Sequence, residues 1–384
     1  MRAYTLLLPL LMLVVGNTAL AQDGSLRERL RERMQNRQAD KQATETRSPT
    51  SALTAGTHTL SLQHAGAQRT YIVHIPRSLP ATQAAPLLVA LHGGGGNMRF
   101  QADDENYGLI TKSEQAGFIA VFPNGYSRMP GGGLATWNAG NCCAQARDKG
   151  SDDVGFIRAL LADVQQRASI DPQRIYATGM SNGGMMAHRL ACEATDLFAA
   201  IASVAGTDNT RSCKPSRPIP VLIIHARNDD HVLYEGGAGD KAFKDKSQVT
   251  DFTSVPETAR RWMQRNQCSA SAPAEITLQV QGARCERHVA ACANSAVVEV
   301  CTTETGGHSW PGAGKVRRGK EGASQALSAN DRMWDFFHPV SGPQRLGGPP
   351  PAPSVLVLGR LLRLPGGGID STDLGAHLHR LALA

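Results

Sequence analysis

One serine of the chain lies between glycines in a pattern that is typical of an enzyme nucleophile. The segment Gly179-Met180-Ser181-Asn182-Gly183 follows a strand-like run and precedes a helix-like run. A sharp turn from strand to helix exposes a serine hydroxyl, and glycines are needed there because neighbouring Cβ atoms would not fit. The pentapeptide can occur by chance in a glycine-rich chain, so it is the flanking pattern that predicts Ser181 as a nucleophile.

A nucleophilic serine needs a histidine to accept its proton and a carboxylate to orient that histidine. Two downstream strand-like runs lead into loops that carry Asp229 and His308, in the chain order serine, acid, base. The sequence therefore predicts these two residues as acid and base, with the adjacent Asp230 open as an alternative acid. His188 and His225 compete as bases, but a place within a helix and one at the end of a core strand favour structural roles.

A glycine-rich loop supplies candidate donors for a developing oxyanion. The apolar run at 87–91 ends in His92-Gly93-Gly94-Gly95-Gly96. The bare backbone of Gly93 and Gly94 can direct N–H groups at a substrate, and the N–H of Asn182 can join them. A phosphate-binding loop is disfavoured because the G-K-[ST] ending is missing.

The elements that must position these residues alternate between strands and helices. Several predicted strands are continuous apolar runs, which is typical of a mainly parallel sheet covered on both faces. The predicted strands are 69–75, 86–91, 117–122, 174–180, 218–224 and 297–303, and the predicted helices are 154–168, 183–192, 255–266 and 328–337.

Four segments differ in composition. Residues 1–21 have the charged start, short apolar centre and small-residue end of a secretory signal peptide, which predicts a secreted or periplasmic protein. Residues 22–57 form a charged N-terminal segment that we expect to be flexible or helical. Residues 58–338 form the predicted catalytic domain, and residues 339–384 form a tail rich in proline and glycine that we expect to be disordered.

Charge and composition exclude several function classes. The net charge is +7, but most of the excess lies in the terminal segments, so a nucleic-acid-binding surface on the folded body is not expected. Hydrophobic residues make up 41% and charged residues 19%, as in a globular protein. The apolar run near the N-terminus is too short to span a bilayer, so we expect no stable membrane insertion after signal cleavage.

Five ordered sequence blocks resemble the secreted esterases of the polyhydroxybutyrate depolymerase type, whose relatives include feruloyl and acetylxylan esterases. The blocks are L-H-G-G-G-G at 91–96, T-W-N-A-G-x-C-C at 136–143, D-D-V-G-F at 152–156, G-M-S-N-G-G-M-M-A at 179–187 and G-G-H-S-W-P-G at 306–312. The resemblance covers about residues 60–337. It implies an α/β-hydrolase fold with a mainly parallel central sheet and helices on both faces.

The resemblance also assigns roles to individual residues. The family pattern H-G-x-x-D falls on residues 225–229 and favours Asp229 over Asp230, although Ala226 stands where the family usually has glycine. Trp137 and Trp310 lie in two of the blocks, where they can either line the site for an acyl or aromatic group or belong to the core.

The eight cysteines are an even number, and in an exported protein they predict disulfides rather than a metal site. Adjacent cysteines rarely bond to each other, so Cys142 and Cys143 are each expected to reach a distant partner. The family resemblance implies a bridge from Cys268 to Cys292 and, as a second, one from Cys285 to Cys301.

The sequence as a whole predicts an exported serine esterase that needs neither metal nor organic cofactor. Hydrolysis of insoluble polyester usually uses a separate surface-binding module, and after residue 337 we expect only the tail rich in proline and glycine. This favours hydroxyalkanoate oligomers or acyl esters of the plant cell wall as substrates. Two other classes stay open: an exported binding protein without turnover on the same scaffold, and a serine peptidase.

Overall fold

The computed structural model describes residues 51–80, 83–242, 251–269, 273–288, 292–314 and 322–342. The predicted signal peptide, nearly all of the charged segment predicted at 22–57 and nearly all of the predicted tail lie outside these residues. None of the helices in the described ranges is long and apolar enough to cross a membrane.

A ten-stranded sheet forms the centre of the described chain. Its strands are β1 (Gly56–His64), β2 (Ala67–Ile75), β3 (Ala85–Leu91), β4 (Ile119–Pro123), β5 (Ile170–Met180), β6 (Ala200–Val204), β7 (Val221–Ala226), β8 (Glu275–Val280), β9 (Ala283–His288) and β10 (Val298–Thr303). They lie in the order β1-β2-β4-β3-β5-β6-β7-β10-β9-β8. The six central strands are parallel: β4, β3, β5, β6, β7 and β10. Two antiparallel strands lie on each side of them.

Helices cover both faces of this sheet. They are α1 (Met98–Ala102), α2 (Asp104–Tyr107), α3 (Leu109–Ala116), α4 (Ala144–Asp148), α5 (Asp153–Gln165), α6 (Asn182–Glu193), α7 (Val255–Arg265) and α8 (Ala329–Phe337). Alternate residues of β3 enter two different cores: Leu87 and Val89 pack with α5, α6 and α7, whereas Leu88 and Ala90 pack with α3 and α8. The continuous apolar runs thus arise from burial on both faces, and the predicted α/β-hydrolase fold is confirmed.

The strands and helices predicted from the sequence are all present within a few residues of their expected bounds. The strand that the sequence did not reveal in the middle of the sheet is β6, whose Ala-Ile-Ala-Ser-Val is too rich in small residues to stand out as a β-type run. The edge hairpin of β8 and β9 was also missed, although Ile276, Leu278 and Val280 alternate with polar residues as in a strand.

All eight cysteines form disulfides, and one of them corrects the sequence analysis. Cys142 and Cys143 are bonded to each other, across a cis peptide, so the expectation that each reaches a distant partner was wrong. No partner is left for them, because the other six cysteines pair among themselves. The remaining bridges are Cys192–Cys213, Cys268–Cys292 and Cys285–Cys301, and the last two confirm the implied pairs.

We expect the unreduced protein, unfolded in guanidinium chloride, to show no titratable thiol, since the structure leaves no cysteine free. Replacing both Cys192 and Cys213 by serine should lower the free energy of unfolding by about 2–5 kcal/mol, as is typical for loss of a native bridge. Thiol titration and urea unfolding measure these effects. Four or more free thiols per chain would contradict this disulfide assignment.

Candidate active site

Ser181 occupies a sharp turn between β5 and α6. Its backbone lies in the positive-φ region, at φ 56° and ψ −122°, and its N–H donates to the carbonyl of Val204 at 2.8 Å. The glycines around it are required by space: a Cβ at Gly179 would lie 2.4 Å from the carbonyl carbon of Gly183, and a Cβ at Gly183 would lie 2.2 Å from the carbonyl oxygen of Leu91. The local sequence therefore folds into the turn that the glycine pattern predicts.

Asp229 and His308 meet in the loops that follow β7 and β10. These strands are parallel neighbours, with Ala226 paired to Thr303 at their ends. His308 Nδ1 lies 2.8 Å from Asp229 Oδ2 and 3.0 Å from Oδ1. A carboxylate at this distance keeps the proton on Nδ1, and the lone pair of Nε2 is then available to accept a proton.

The Asp229 carboxylate is fully buried and is satisfied on every side. Its Oδ1 also accepts the N–H groups of His231 at 2.8 Å and Val232 at 3.0 Å, and His225 Nε2 lies 3.2 Å from Oδ2. Burial alone would raise the pKa of Asp229, but the hydrogen bonds and charge interactions with His225 and His308 outweigh burial and hold the pKa well below its usual range. The side chain is therefore a carboxylate throughout the physiological range.

Asp230 points to a different set of partners. Its carboxylate lies 2.5 Å from His231 Nδ1 and 2.6 Å from Lys241 Nζ, and it is partly exposed. The ring of His231 in turn stacks on His308, with 4.5 Å between ring centroids. Asp230 thus reaches the base only through another ring, and the contacts favour Asp229 as the acid.

His188 and His225 have contacts that suit structural histidines. His188 is fully buried and accepts a hydrogen bond from Trp262 Nε1 at 2.9 Å. His225 Nε2 faces two acceptors, the carbonyl of Val232 at 2.8 Å and the carboxylate of Asp229, so this nitrogen carries the proton. His225 therefore holds the acid in place and is not available as a base for Ser181.

The Ser181 hydroxyl makes no hydrogen bond to His308 within the described residues. The two residues share one edge of the sheet because β5, β7 and β10 run parallel and end there. Hydrogen bonds between a nucleophile and its base are often long in a free enzyme and tighten when substrate binds. The assignment of Ser181, Asp229 and His308 as one catalytic triad therefore stays a prediction.

The predicted oxyanion donors lie against the turn that carries Ser181. A Cβ at Gly93 would lie 3.6 Å from Ser181 Cβ, and a Cβ at Gly94 would lie 3.5 Å from Asn182 Cβ. No hydrogen bond engages the N–H of Gly93 or Gly94 in the described part of the chain. The N–H of Asn182 belongs to the first residue of α6 and has no acceptor within that helix.

His92 holds the glycine loop from inside. Its Nδ1 lies 2.8 Å from the carbonyl oxygen of Gly93, and its Nε2 accepts the N–H of Gly125 at 2.9 Å. Both bonds are satisfied only by the neutral ring with its proton on Nδ1. Complete burial lowers the pKa of His92 to about 4, which keeps the ring neutral.

Trp137 and Trp310 were predicted either to line the substrate site or to belong to the core, and both are buried. Trp137 is fully buried; its backbone N–H and carbonyl bind the side chain of Asn182 at 2.7 and 3.0 Å, and its indole N–H donates to His92. Trp310 is 3% exposed and donates to Asn330 at 3.0 Å. Neither ring is exposed enough to form a wall of a substrate site, so both belong to the core, the second of the two predicted possibilities.

The supporting contacts of Asn182, His92 and His225 escaped the sequence analysis. All three residues lie inside quoted motifs, but a motif gives the residue types and not the partners of their side chains. One signal was present: each is a polar residue within an apolar or glycine-rich run, where a buried polar group needs a hydrogen-bond partner.

Two groups of side chains have the residue types of metal ligands. Ligand atoms of Asp229, His231 and His308 lie within 4.8 Å of one another, and the carboxylate of Asp229 is hydrogen-bonded to His308 Nδ1. In the other group, Cys285 and Cys301 are joined as a disulfide next to Glu299, so these sulfurs are not thiolates. The described contacts of the two groups are thus those of an acid–base pair and of a disulfide.

Comparison with known proteins places the chain among esterases. The sequence model of the prolyl oligopeptidase family matches residues 115–216. "Feruloyl esterase B" of Piromyces equi is 30% identical over 253 residues, which are 65% of this chain and 44% of that protein. "Putative esterase NocK" of Nocardia uniformis subsp. tsuyamanensis is 30% identical over 285 residues, which are 71% of this chain and 80% of that protein.

A further relative is the "Bifunctional acetylxylan esterase/xylanase XynS20E" of Neocallimastix patriciarum. It is 28% identical over 196 residues, which are 50% of this chain and 26% of that protein. The chain therefore spans less than two thirds of this relative and of the Piromyces equi protein, whereas it covers most of the Nocardia protein.

The buried histidines predict a pH dependence of stability. Burial lowers the pKa of both His92 and His188 to about 4, whereas an unfolded histidine titrates near 6.5. The unfolded chain therefore takes up protons first, and the stabilisation that is complete above pH 6.5 is lost as the pH falls towards 4. Each residue contributes up to about 3 kcal/mol of this loss.

Urea unfolding at pH 7.5, 6 and 5 measures the effect. The His92→Asn variant should be less stable at pH 7.5 but should lose less stability between pH 7.5 and 5 than the unmodified chain, because the contribution of His92 is then absent. An equal loss in both proteins would contradict the assignment of His92 as a neutral, buried ring.

Proposed function

Because the chain belongs to the esterases of the α/β-hydrolase fold, we propose that it hydrolyses carboxylic esters through an acyl intermediate on Ser181. The single observation that carries the proposal is the 2.8 Å contact between His308 Nδ1 and the buried carboxylate of Asp229. It lies at the sheet edge where the strained turn presents the serine. Membership of the family supports the same chemistry.

In the proposed reaction, His308 Nε2 removes the proton of Ser181 as Oγ attacks the ester carbonyl carbon. The charge that develops on the carbonyl oxygen is stabilised by the N–H groups of Gly93, Gly94 and Asn182. His308 then gives its proton to the departing alcohol oxygen, and the acyl group remains on Oγ. Water then attacks the acyl carbon while His308 Nε2 accepts its proton. Collapse of the second tetrahedral intermediate breaks the bond to Oγ, His308 returns the proton to Oγ, and the acid is released.

Asp229 acts in both steps by stabilising the positive charge that His308 acquires. Because hydrogen bonds keep the pKa of Asp229 low, this carboxylate stays ionised when the imidazolium forms beside it. His225 and the two backbone donors fix the direction of the carboxylate, so little reorganisation accompanies proton transfer.

As substrates we propose acyl esters of plant cell wall polysaccharides, with feruloyl and acetyl esters as the two candidates. The names of two relatives, a feruloyl esterase and a bifunctional acetylxylan esterase and xylanase, support this class. The sequence blocks that resemble polyhydroxybutyrate depolymerases keep hydroxyalkanoate oligomers as an alternative. We also propose that the protein acts outside the cytoplasm, since four disulfides are typical of exported proteins.

Two alternatives belong to other classes. A serine peptidase would use the same triad on amides, and the partial match to the prolyl oligopeptidase family is the observation in its favour. A binding protein without turnover would have no need for a strained serine, nor for a histidine held by a buried carboxylate at the same sheet edge, which favours an enzyme.

A substrate panel tests the proposal. We expect the protein to hydrolyse methyl ferulate or acetylated xylan faster than hydroxybutyrate oligomers, and any of these esters faster than a peptide p-nitroanilide. The Ser181→Ala variant should lose about 10⁴-fold or more in kcat, because the nucleophile and base act as one unit. Preference for the oligomers would refute the proposed substrate class, and preference for the amide would refute the esterase.

The choice of acid has its own test. Asp229→Asn should lower kcat on the order of 10⁴-fold, since an amide can stabilise neither the tautomer nor the charge of His308. Asp230→Asn should change kcat by about fivefold or less, because Asp230 is partly exposed and reaches His308 only through the ring of His231. Steady-state kinetics on p-nitrophenyl butyrate compare the two variants, and a larger effect at Asp230 would contradict the assignment.

A further inference from the structure

We propose that Met129 and Leu134, here called the lip, bind the apolar acyl group of the ester whose carbonyl is held at Ser181. This inference rests on the proposed esterase function and adds to it a specificity-determining surface. Both residues belong to the loop at 124–136, between β4 and Trp137. None of the residues of this loop was among the predicted site residues.

The loop is bonded to the glycine loop that carries two of the predicted oxyanion donors. Gly95 N–H donates to the carbonyl of Ala135 at 2.9 Å, and Ala135 N–H donates to the carbonyl of Gly96 at 3.0 Å. Leu134 directly precedes Ala135, and Gly93 lies against Ser181. The loop that carries the lip therefore borders the glycine loop at the sheet edge where the turn at Ser181 lies.

Both side chains of the lip are exposed at a cost. Leu134 is 69% exposed and Met129 is 50% exposed, although folding normally buries side chains of this kind. Leu134 also has φ 50°, a conformation that few residues other than glycine and asparagine adopt. Strain and exposure together at one residue next to a candidate catalytic site indicate a function for its side chain.

Hydrogen bonds hold the loop in shape although its sequence contains three consecutive glycines. Asn124 Nδ2 donates to the carbonyl of Gly132 at 3.0 Å, and the Ser127 hydroxyl donates to the carbonyl of Gly133. Gly132 N–H closes a turn onto the carbonyl of Met129 at 3.0 Å. The apolar side chains thus lie on an ordered loop. Because the loop is already ordered, less conformational entropy is lost when an acyl group binds.

The same chain provides matched controls. Within the described residues, the other large hydrophobic side chains with similar exposure are Ile276 and Val280, at 52% and 42%. Both lie on β8, the outermost strand of the sheet, whereas the glycine loop follows β3 near its centre. Exposure alone would make all four residues equivalent, but of the four it is the lip residues that belong to the loop bonded to the glycine loop.

The lip fits an apolar acyl group longer than acetyl. A butyryl or hexanoyl chain, or the ring of a phenylpropenoyl group, extends well past the carbonyl and can cover a leucine and a methionine, whereas an acetyl group has only one methyl group beyond the carbonyl carbon. Methionine suits such a surface because its flexible thioether adapts to chains and rings alike.

The test is a series of p-nitrophenyl esters, from acetate through butyrate to hexanoate, with the full chain. The variants are Leu134→Asn and Leu134→Gly, which tolerate the positive φ, together with Met129→Gln and the control Ile276→Asn. We expect the ratio of kcat/KM for hexanoate to that for acetate to fall by about tenfold in the Leu134 variants, the ratio expected when an apolar contact is lost. The control should keep the ratio of the unmodified chain, and the Tm of the Leu134 variants should stay the same or rise.

An unchanged ratio in both Leu134 variants would overturn the proposal. An equal loss with acetate and hexanoate would also overturn it, since the loop would then act only by supporting the glycine donors. So would a large fall in Tm, which would mean that Leu134 packs against another part of the chain. If the unmodified chain hydrolyses none of these esters, the proposed function fails, and that outcome differs from a chain that hydrolyses them with unaltered preference.

Discussion

The candidate site depends on one buried negative charge. The Asp229 carboxylate has no contact with water, and an ion in such a place is stable only when nearby groups replace its hydration. Two backbone N–H groups and two histidines do so, and one of those histidines is His308. The contact that would orient the catalytic base is thus also the contact that makes the buried charge tolerable, which links folding of this region to its chemistry.

A second set of buried polar contacts fixes the donors on the other side of the site. His92 binds the glycine loop, Asn182 binds both polar groups of the Trp137 backbone, and the indole of Trp137 returns to His92. Three chain segments that are distant in sequence, one of them the turn at Ser181, are joined in this way. Such a frame keeps N–H groups in place before a substrate arrives, which is the condition under which they stabilise a transition state.

The features that could be predicted from the sequence are those that require particular residue types. The turn at Ser181 needs glycines because backbone atoms lie where their Cβ atoms would be, and the buried strands need apolar residues on both faces. Asp229 and Asp230 fit the spacing equally well and differ only in burial and partners, so the residue pattern alone left them open. The burial of Trp137, the Cys142–Cys143 bridge and the exposure of Leu134 depend on tertiary contacts that a single sequence does not record.

The most direct test of the account is covalent labelling with a fluorophosphonate, followed by peptide mass spectrometry of the modified residue. The central claim is that the turn, the base and the buried acid together make one serine nucleophilic. The account predicts a single stoichiometric adduct on Ser181 and its loss in the His308→Ala variant, which keeps the serine but lacks the base. An adduct on another residue, or undiminished labelling of Ser181 without His308, would contradict it.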